Sequence, residues 1–404
     1  MQNTPLASRR HVVIYGNMNA GKSSLFNRII EQDLAIVSPT AGTTTDPVVK
    51  GMELIPFGPI ALVDTAGLGD SGSVGDLRVH KTRAMLDRTD LAIYAADISH
   101  FDGDDYCRTM ELWKKRNIPF ILTLTKCDLA PEELCRTMME RYPEAVLVSD
   151  KDPRSIQELK SRMVKELQKL GDQEDSLIGH LVPSGSTVVL VIPVDSEAPK
   201  GRLILPQVQL IRDCLDHGIA CHVCRETELA STLQNSKRVD LVVTDSQAFQ
   251  IVDSIVPKDI PLTSFSMLLA NQKGDLPAML EGANAVAHLP DGARILVAEG
   301  CTHNHNHEDI GRVKIPRLLQ KKTGKSFQFD HVAGNDFPED LSPYSMVIQC
   351  GGCMLTRRAV LSRIGHAKDV HLPITNYGVI LAYLTGILPR ASAVFAKEEG
   401  RAWT

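Results

Sequence analysis

Three groups of residues in this chain have the types and spacing to do chemistry. The first is Gly16-Asn17-Met18-Asn19-Ala20-Gly21-Lys22-Ser23, which fits G-x-x-x-x-G-K-[ST]. Such a loop cradles phosphates with backbone N–H groups and the helix N-terminus. Lys22 then reaches the β/γ oxygens and Ser23 Oγ ligates Mg²⁺. The second is Cys350-Gly351-Gly352-Cys353. Two glycines leave the backbone free to fold round an ion or cluster and leave N–H groups available to sulfur. Zinc, a redox disulfide and an iron–sulfur cluster all use this spacing. The third is Cys301-Thr302-His303-Asn304-His305-Asn306-His307-Glu308-Asp309, where soft and borderline ligands bunch in one stretch.

Elements must position these groups. His11–Tyr15 reads as a strand into the phosphate loop, and Ser24–Ile30 as the helix that follows it. Gly42-Thr43-Thr44-Thr45-Asp46 offers a switch hydroxyl, assigned to Thr44, for Mg²⁺. Strand Ile60–Val63 ends in Asp64-Thr65-Ala66-Gly67, a D-x-x-G in which Asp64 backs Mg²⁺ and the Gly67 N–H senses the γ-phosphate. Strand Phe120–Leu124 leads to Thr125-Lys126-Cys127-Asp128, similar to the guanine motif N-K-x-D with Thr in place of Asn. There the Asp128 carboxylate accepts from guanine N1–H and N2–H. Ser149-Asp150-Lys151 resembles the S-A-K loop with Asp in place of Ala. The nucleotide set is therefore Gly16, Asn19, Ala20, Gly21, Lys22, Ser23, Ser24, Asp64, Gly67, Lys126, Asp128, Ser149, Asp150 and Lys151, with Lys22, Thr44 and Gly67 acting in hydrolysis. Leu68 follows Gly67 where Ras-type enzymes have Gln, so a second organiser of transition-state charge is needed.

A polar, turn-rich stretch around residues 171–186 marks a boundary. Beyond it, strands Thr187–Ile192, Gly218–Val223 and Val239–Thr244 and helix Gln207–Leu215 make a βαβ rhythm with a small parallel sheet. Cys221-His222-Val223-Cys224 repeats the Cys-x-x-Cys spacing. In an extended strand its two thiols face opposite ways, and Ile219, Cys221 and Val223 alternate as a core face, so the pair is read as structural. From Pro290 on, strands Arg294–Ala298, Ser326–Val332, Met346–Gln349 and His371–Ile374 are expected, with helices Met354–Leu361 and Val379–Leu384. If these strands run parallel, the loops carrying Cys301, Cys350 and Cys353 open on one sheet edge, where open α/β sheets bind ligands. Three thiolates and an exchangeable fourth position suit an iron–sulfur cluster, whereas His303 as fourth ligand would make a Cys₃His zinc site. Spacing leaves both open, with Glu308 a further oxygen ligand.

Order and wording of the GTPase motifs resemble the Era/TrmE branch of GTPases. That resemblance gives Asn19 a K⁺-binding role beside the phosphates and implies K⁺-stimulated hydrolysis. It also places Asp76, by position, where an acidic residue helps orient the attacking water. Together with Cys301-Thr302-His303 and Cys350-Gly351-Gly352-Cys353, the whole chain resembles the HydF family of [FeFe]-hydrogenase maturation GTPases. The resemblance implies a [4Fe–4S] cluster held by Cys301, Cys350 and Cys353. It implies a scaffold and carrier for the diiron subcluster made with radical-SAM maturases and delivered to apo-[FeFe]-hydrogenase, and a homodimer paired through the middle domain. That family often has His where Gln349 stands, which leaves His303, Glu308, water or an incoming substrate as the fourth ligand.

The expected architecture is α/β in three domains. These are a P-loop GTPase with a helix-flanked parallel sheet over 1–170, a small βαβ dimerisation domain over 180–265, and an α/β cluster-binding domain over 270–404. A length of 404 residues agrees with about three domains. The net charge of -5 carries no basic stripe, so nucleic-acid binding is not expected. No signal peptide, no membrane span and nine scattered cysteines point to a cytoplasmic protein with reduced thiols. One rival reading is an Era/TrmE-type GTPase linked to RNA or the ribosome, with a C-terminal zinc site. The other is a redox enzyme gated by the GTPase.

Overall fold

A computed structural model describes residues 5–31, 47–65, 85–171, 176–194, 201, 203–300, 310–334 and 336–396. The chain divides into two compact units, Met1–Gln173 and Glu174–Thr404. Among the described residues no helix is long and apolar enough to cross a membrane.

The first unit is built on β1 (Arg10–Tyr15), β2 (Val48–Leu54), β3 (Gly58–Asp64), β4 (Leu91–Asp97), β5 (Phe120–Thr125) and β6 (Val146–Leu147). Their order is β2-β3-β1-β4-β5-β6, with β2 antiparallel to β3 and the other pairs parallel. The inner strands carry near-continuous apolar runs because both faces are covered. Val12, Ile14, Leu62 and Ile93 pack against Leu25, Phe26 and Ile29 of helix Lys22–Ile30 and Leu159 and Met163 of helix Pro153–Lys169. Val13, Tyr15, Tyr94 and Leu122 pack on the opposite face with Trp113 and Met138.

The second unit carries two parallel four-stranded sheets. One comprises β7 (Thr187–Val191), β8 (Ala220–Cys224), β9 (Leu241–Thr244) and β10 (Leu262–Ser264), in the order β10-β9-β7-β8. The other comprises β11 (Arg294–Glu299), β12 (Gln328–Ala333), β13 (Met346–Gln349) and β14 (Ile374–Asn376), in the order β12-β11-β13-β14. Both orders are the same. The second strand lies on one side of the first, the third and fourth lie on the other, and the switch point falls between the first and third strands.

The correspondence extends to detail. In each sheet the first crossover helix has proline in its opening turn, Pro206 in Leu205–Asp216 and Pro316 in Ile315–Thr323. Each fourth strand ends in a polar cap, worth ~1 kcal/mol, on a helix of 9 residues. Ser264 Oγ accepts from the Met267 N–H (3.3 Å) ahead of Phe265–Lys273, and Asn376 Oδ1 from the Val379 N–H (2.8 Å) ahead of Tyr377–Thr385. The two sheets share one topology, and they share a continuous core through Leu190, Val243, Leu268, Ile295, Val347 and Ile380.

Three expectations are corrected. The helix after the second thiol begins at Arg357 rather than Met354, because Leu355 N–H closes a turn on Gly352 O and Thr356 Oγ1 caps the Ala359 N–H. The last strand runs Ile374–Asn376, after a turn through His371 with φ of 54°. Cys221 and Cys224 do lie on opposite sheet faces, against different apolar clusters. Val223, however, is 49% exposed rather than part of a core face, because β8 is an edge strand.

Candidate functional site

In the first unit the phosphate loop leaves β1 through Gly16, whose φ is +143°, and a Cβ there would fall 2.0 Å from Ala95 O of β4. Glycine is therefore required for the loop to pass this close to the sheet. Asn19 (φ 61°) and Gly21 (φ 80°) complete the curl, and helix Lys22–Ile30 starts at its end. Lys22 Nζ donates to Gly16 O (2.9 Å) and Asn17 O (2.8 Å), closing the loop on itself. Ser23 Oγ donates to Asp64 Oδ2 (2.6 Å), which joins the two Mg²⁺-associated motifs at the ends of adjacent strands.

The base side is assembled from β5 and β6. Thr125 Oγ1 donates to Ala20 O (2.8 Å) and Ala96 O (3.1 Å), so the residue in the Asn position of the guanine motif ties that motif to the phosphate loop. Lys126 Nζ donates to Asn19 O (2.7 Å) and Asp97 Oδ2 (2.9 Å). Burial favours the neutral form of Asp97, but hydrogen bonds from Lys126 and the Ser99 N–H outweigh it and hold the carboxyl below its ordinary range. Asp128 Oδ1 accepts from the Asp150 N–H (3.3 Å), bringing the two base-side loops together. Ser149 Oγ accepts from the Lys151 N–H (3.1 Å). Arg28 fixes this loop from behind, donating to Ser149 O (2.7 Å) and Asp150 Oδ1 (3.0 Å). A cleft of about 390 Å³ lined by Asn17, Asn19, Ala20, Ala96, Asp97 and Lys126 lies alongside.

The described residues of the expected nucleotide set, Gly16, Asn19 to Ser24, Asp64, Lys126, Asp128 and Ser149 to Lys151, thus gather at one sheet edge. Thr44, Gly67 and Asp76 lie outside the described residues. Sequence reasoning passed over Asp97 and Arg28. An acidic residue closing the apolar run Leu91–Asp97 is the signal that could have found the first. Arg28 is a basic residue in the last turn of a helix and has no local signature.

In the second unit β11 and β13 are neighbours, and the chain leaves them at Gly300 and Cys350. Cys350 N–H still donates to Ala298 O (2.9 Å), so this thiol is fixed by the ladder. Its Sγ accepts from the Gly300 N–H (3.0 Å) and the Gly352 N–H (3.4 Å). Gly352 has φ of 68°, the left-handed turn that brings the chain round to Cys353. Both thiols are free and half-buried. Burial, then the neighbouring Cys350, pushes the Cys353 thiol above its ordinary range, and Lys273 opposes the shift.

Around the loop, Tyr377 Oη donates to Glu299 Oε1 (2.9 Å) in a buried pair. Gln349 and Thr375 are buried, and among the described residues their Oε1 and Oγ1 have no hydrogen-bond partner. Among the described residues no three of His, Cys, Asp and Glu converge as metal ligands. Cys301, His303 and Glu308 lie outside the described residues. Cys301 follows Gly300 directly in the chain, and Gly300 touches Cys350.

The fold and the first site define a GTP-binding P-loop domain, and residues 11–126 match the family described as 50S ribosome-binding GTPase. Residues 177–274 match the Hydrogen maturase F dimerization domain and residues 277–394 the Hydrogen maturase F tetramerization domain, together more than half of the chain. The protein belongs to the hydrogen maturase F (HydF) family.

Curated relatives match over a shorter stretch. The Danio rerio mitochondrial 5-taurinomethyluridine-[tRNA] synthase subunit GTPB3 is 36% identical over 154 residues, 38% of this chain and 29% of that protein. The tRNA modification GTPase MnmE of Cytophaga hutchinsonii is 31% identical over 173 residues, 42% of this chain and 37% of that protein. The chain thus spans about a third of the length of these relatives. A crystal structure of Era with MgGDPNP and a 16S ribosomal RNA segment aligns at 19% identity over 58% of this chain and 92% of that one, with a TM-score of 0.33.

Proposed function

We propose that this protein is a GTP-hydrolysing scaffold and carrier in [FeFe]-hydrogenase maturation. It holds a [4Fe–4S] cluster and receives and delivers the diiron subcluster. The observation that carries the reading is the thiol loop at the β11/β13 switch point, where two backbone N–H groups point at Cys350 Sγ. Such N–H···S bonds suit a thiolate that binds iron and lower the charge it presents. Cys350 and Cys353 would be two of the ligands and Cys301 the third. Bound there, the cluster would supply an iron with an exchangeable fourth position for the cargo diiron subcluster. The test is transfer. Protein loaded with synthetic diiron subcluster is expected to activate apo-hydrogenase, and loaded protein that leaves it inactive would remove the carrier role.

In the GTPase unit, the loop N–H groups and Lys22 bind the β- and γ-phosphates, Ser23 with Thr44 holds Mg²⁺ and Asp64 backs it, and Asp128 reads guanine. Gly67 senses the γ-phosphate, and Asp76 helps place water. Asn19 holds K⁺ beside the phosphates, and that cation is the second organiser of transition-state charge. Turnover is expected to rise by at least tenfold when Na⁺ is replaced by K⁺ at equal ionic strength. Equal rates in the two salts would remove the K⁺ role.

The radical-SAM maturases and apo-hydrogenase are the partners this reading requires, and cytoplasmic location follows from them. Self-association is assigned to β8. It is an edge strand in the region that matches a dimerization domain, and Val223 on it is 49% exposed. Two such edges can pair across a two-fold axis. Val223→Glu puts like charges at that axis and is expected to weaken the homodimer at least tenfold by sedimentation, with GTP turnover per chain unchanged. An unaltered dimer would place the interface elsewhere.

A further inference from the structure

The thiol loop belongs to the second sheet of the second unit, but a helix that follows the first sheet runs along it. Helix Phe265–Lys273 begins beside Gly351, where an added Cβ would lie 3.6 Å from Ser266 Oγ. At its other end Lys273 Nζ donates to Cys353 O (3.3 Å) and Leu355 O (3.2 Å). The neighbouring Gln272 O accepts from Arg357 Nε (3.1 Å), at the start of the helix that follows the loop. Ser266 and Lys273 are seven positions apart and share one helix face.

Lys273 is 7% exposed and points its ammonium at carbonyls. Among the described residues no carboxylate pairs with it. Burying an unpaired ammonium is costly. Negative charge brought to the adjacent Cys350–Cys353 loop would compensate it, and thiolates with a bound cluster carry such charge.

We propose that Lys273 is a positioning residue of the cluster site. It pins the carbonyls that shape the thiol loop, and its buried charge stabilises the reduced cluster. This rests on the cluster reading given above. One-electron reduction adds a negative charge to the cluster, so a cation fixed in the low-dielectric wall raises the reduction potential. Carbonyl contacts of this kind hold ligand-bearing loops in place as well. Because Lys273 comes from the region that matches the dimerization domain, the cluster site is incomplete without that region.

The experiment is an EPR-monitored redox titration of the anaerobically reconstituted full-length protein, with Lys273→Met, Lys273→Gln and Lys273→Arg beside wild type. Iron and sulfide are measured on each sample. The Met and Gln variants are expected to reduce at a more negative potential than wild type, and the Arg variant close to it. Gln keeps a donor for the two carbonyls and decides the matter if the Met variant does not fold. Wild type that takes up no iron and sulfide sinks the cluster reading itself. A wild-type cluster whose potential is unchanged in the Gln variant overturns the assignment to Lys273 and leaves the cluster reading standing.

Discussion

Lys22→Ala is expected to lower GTP turnover by ~10²–10³-fold while the protein remains folded. The ammonium sits where the phosphate loop closes, bonded to Gly16 O and Asn17 O, and helix Lys22–Ile30 starts at this residue. In the role proposed above the same group would neutralise charge spreading over the β/γ oxygens, which a neutral side chain cannot do. The structural cost is smaller, about 1–3 kcal/mol for carbonyls losing a charged donor. The packing of Leu25, Phe26 and Ile29 behind the helix is untouched. Turnover near the wild-type level would mean that Lys22 does not touch the phosphates. The variant also separates GTP hydrolysis from the proposed carrier role. Loaded with diiron subcluster, it is expected to activate hydrogenase more slowly than wild type if nucleotide state governs partner engagement. Equal activation would place hydrolysis at another step.

Cys350→Ser is expected to abolish cluster binding, from about four iron per chain to near none. Serine keeps the size and accepts from the Gly300 and Gly352 N–H groups, so the β11/β13 edge survives while the soft ligand is lost. Cys221→Ser and Cys224→Ser are the controls. Those thiols face opposite sides of edge strand β8 and are expected to leave iron content unchanged. Iron retained in Cys350→Ser, or lost in the β8 variants, would move the site.

Motifs whose chemistry needs fixed local spacing were legible. The glycines at 16 and 21, Lys22 and Ser23 could be named because the loop's curl and its helix N-terminus are made by consecutive residues. The parallel strands could be named because they are buried on both faces and read as apolar runs. Contacts that depend on how distant segments pack were not legible. Arg28 reaches Ser149 and Asp150 across 121 and 122 positions, and Lys273 reaches Cys353 across 80. Neither residue carries a local sign of its partner. The twofold repetition in the second unit was hidden for a related reason. It lies in strand order, in a crossover-helix proline and in a capped fourth strand, none of which is a local sequence motif. The exposure of Val223 was not legible, because alternation along a strand gives its faces and not whether it lies at the sheet's edge.

Purifying the full-length wild-type protein anaerobically, then measuring iron, sulfide and zinc and recording EPR after dithionite reduction, tests the cluster-carrier account most directly. The account expects about four iron and four sulfide per chain, little zinc, and a signal from the reduced [4Fe–4S] cluster. A colourless protein with one zinc per chain and no such signal would contradict it.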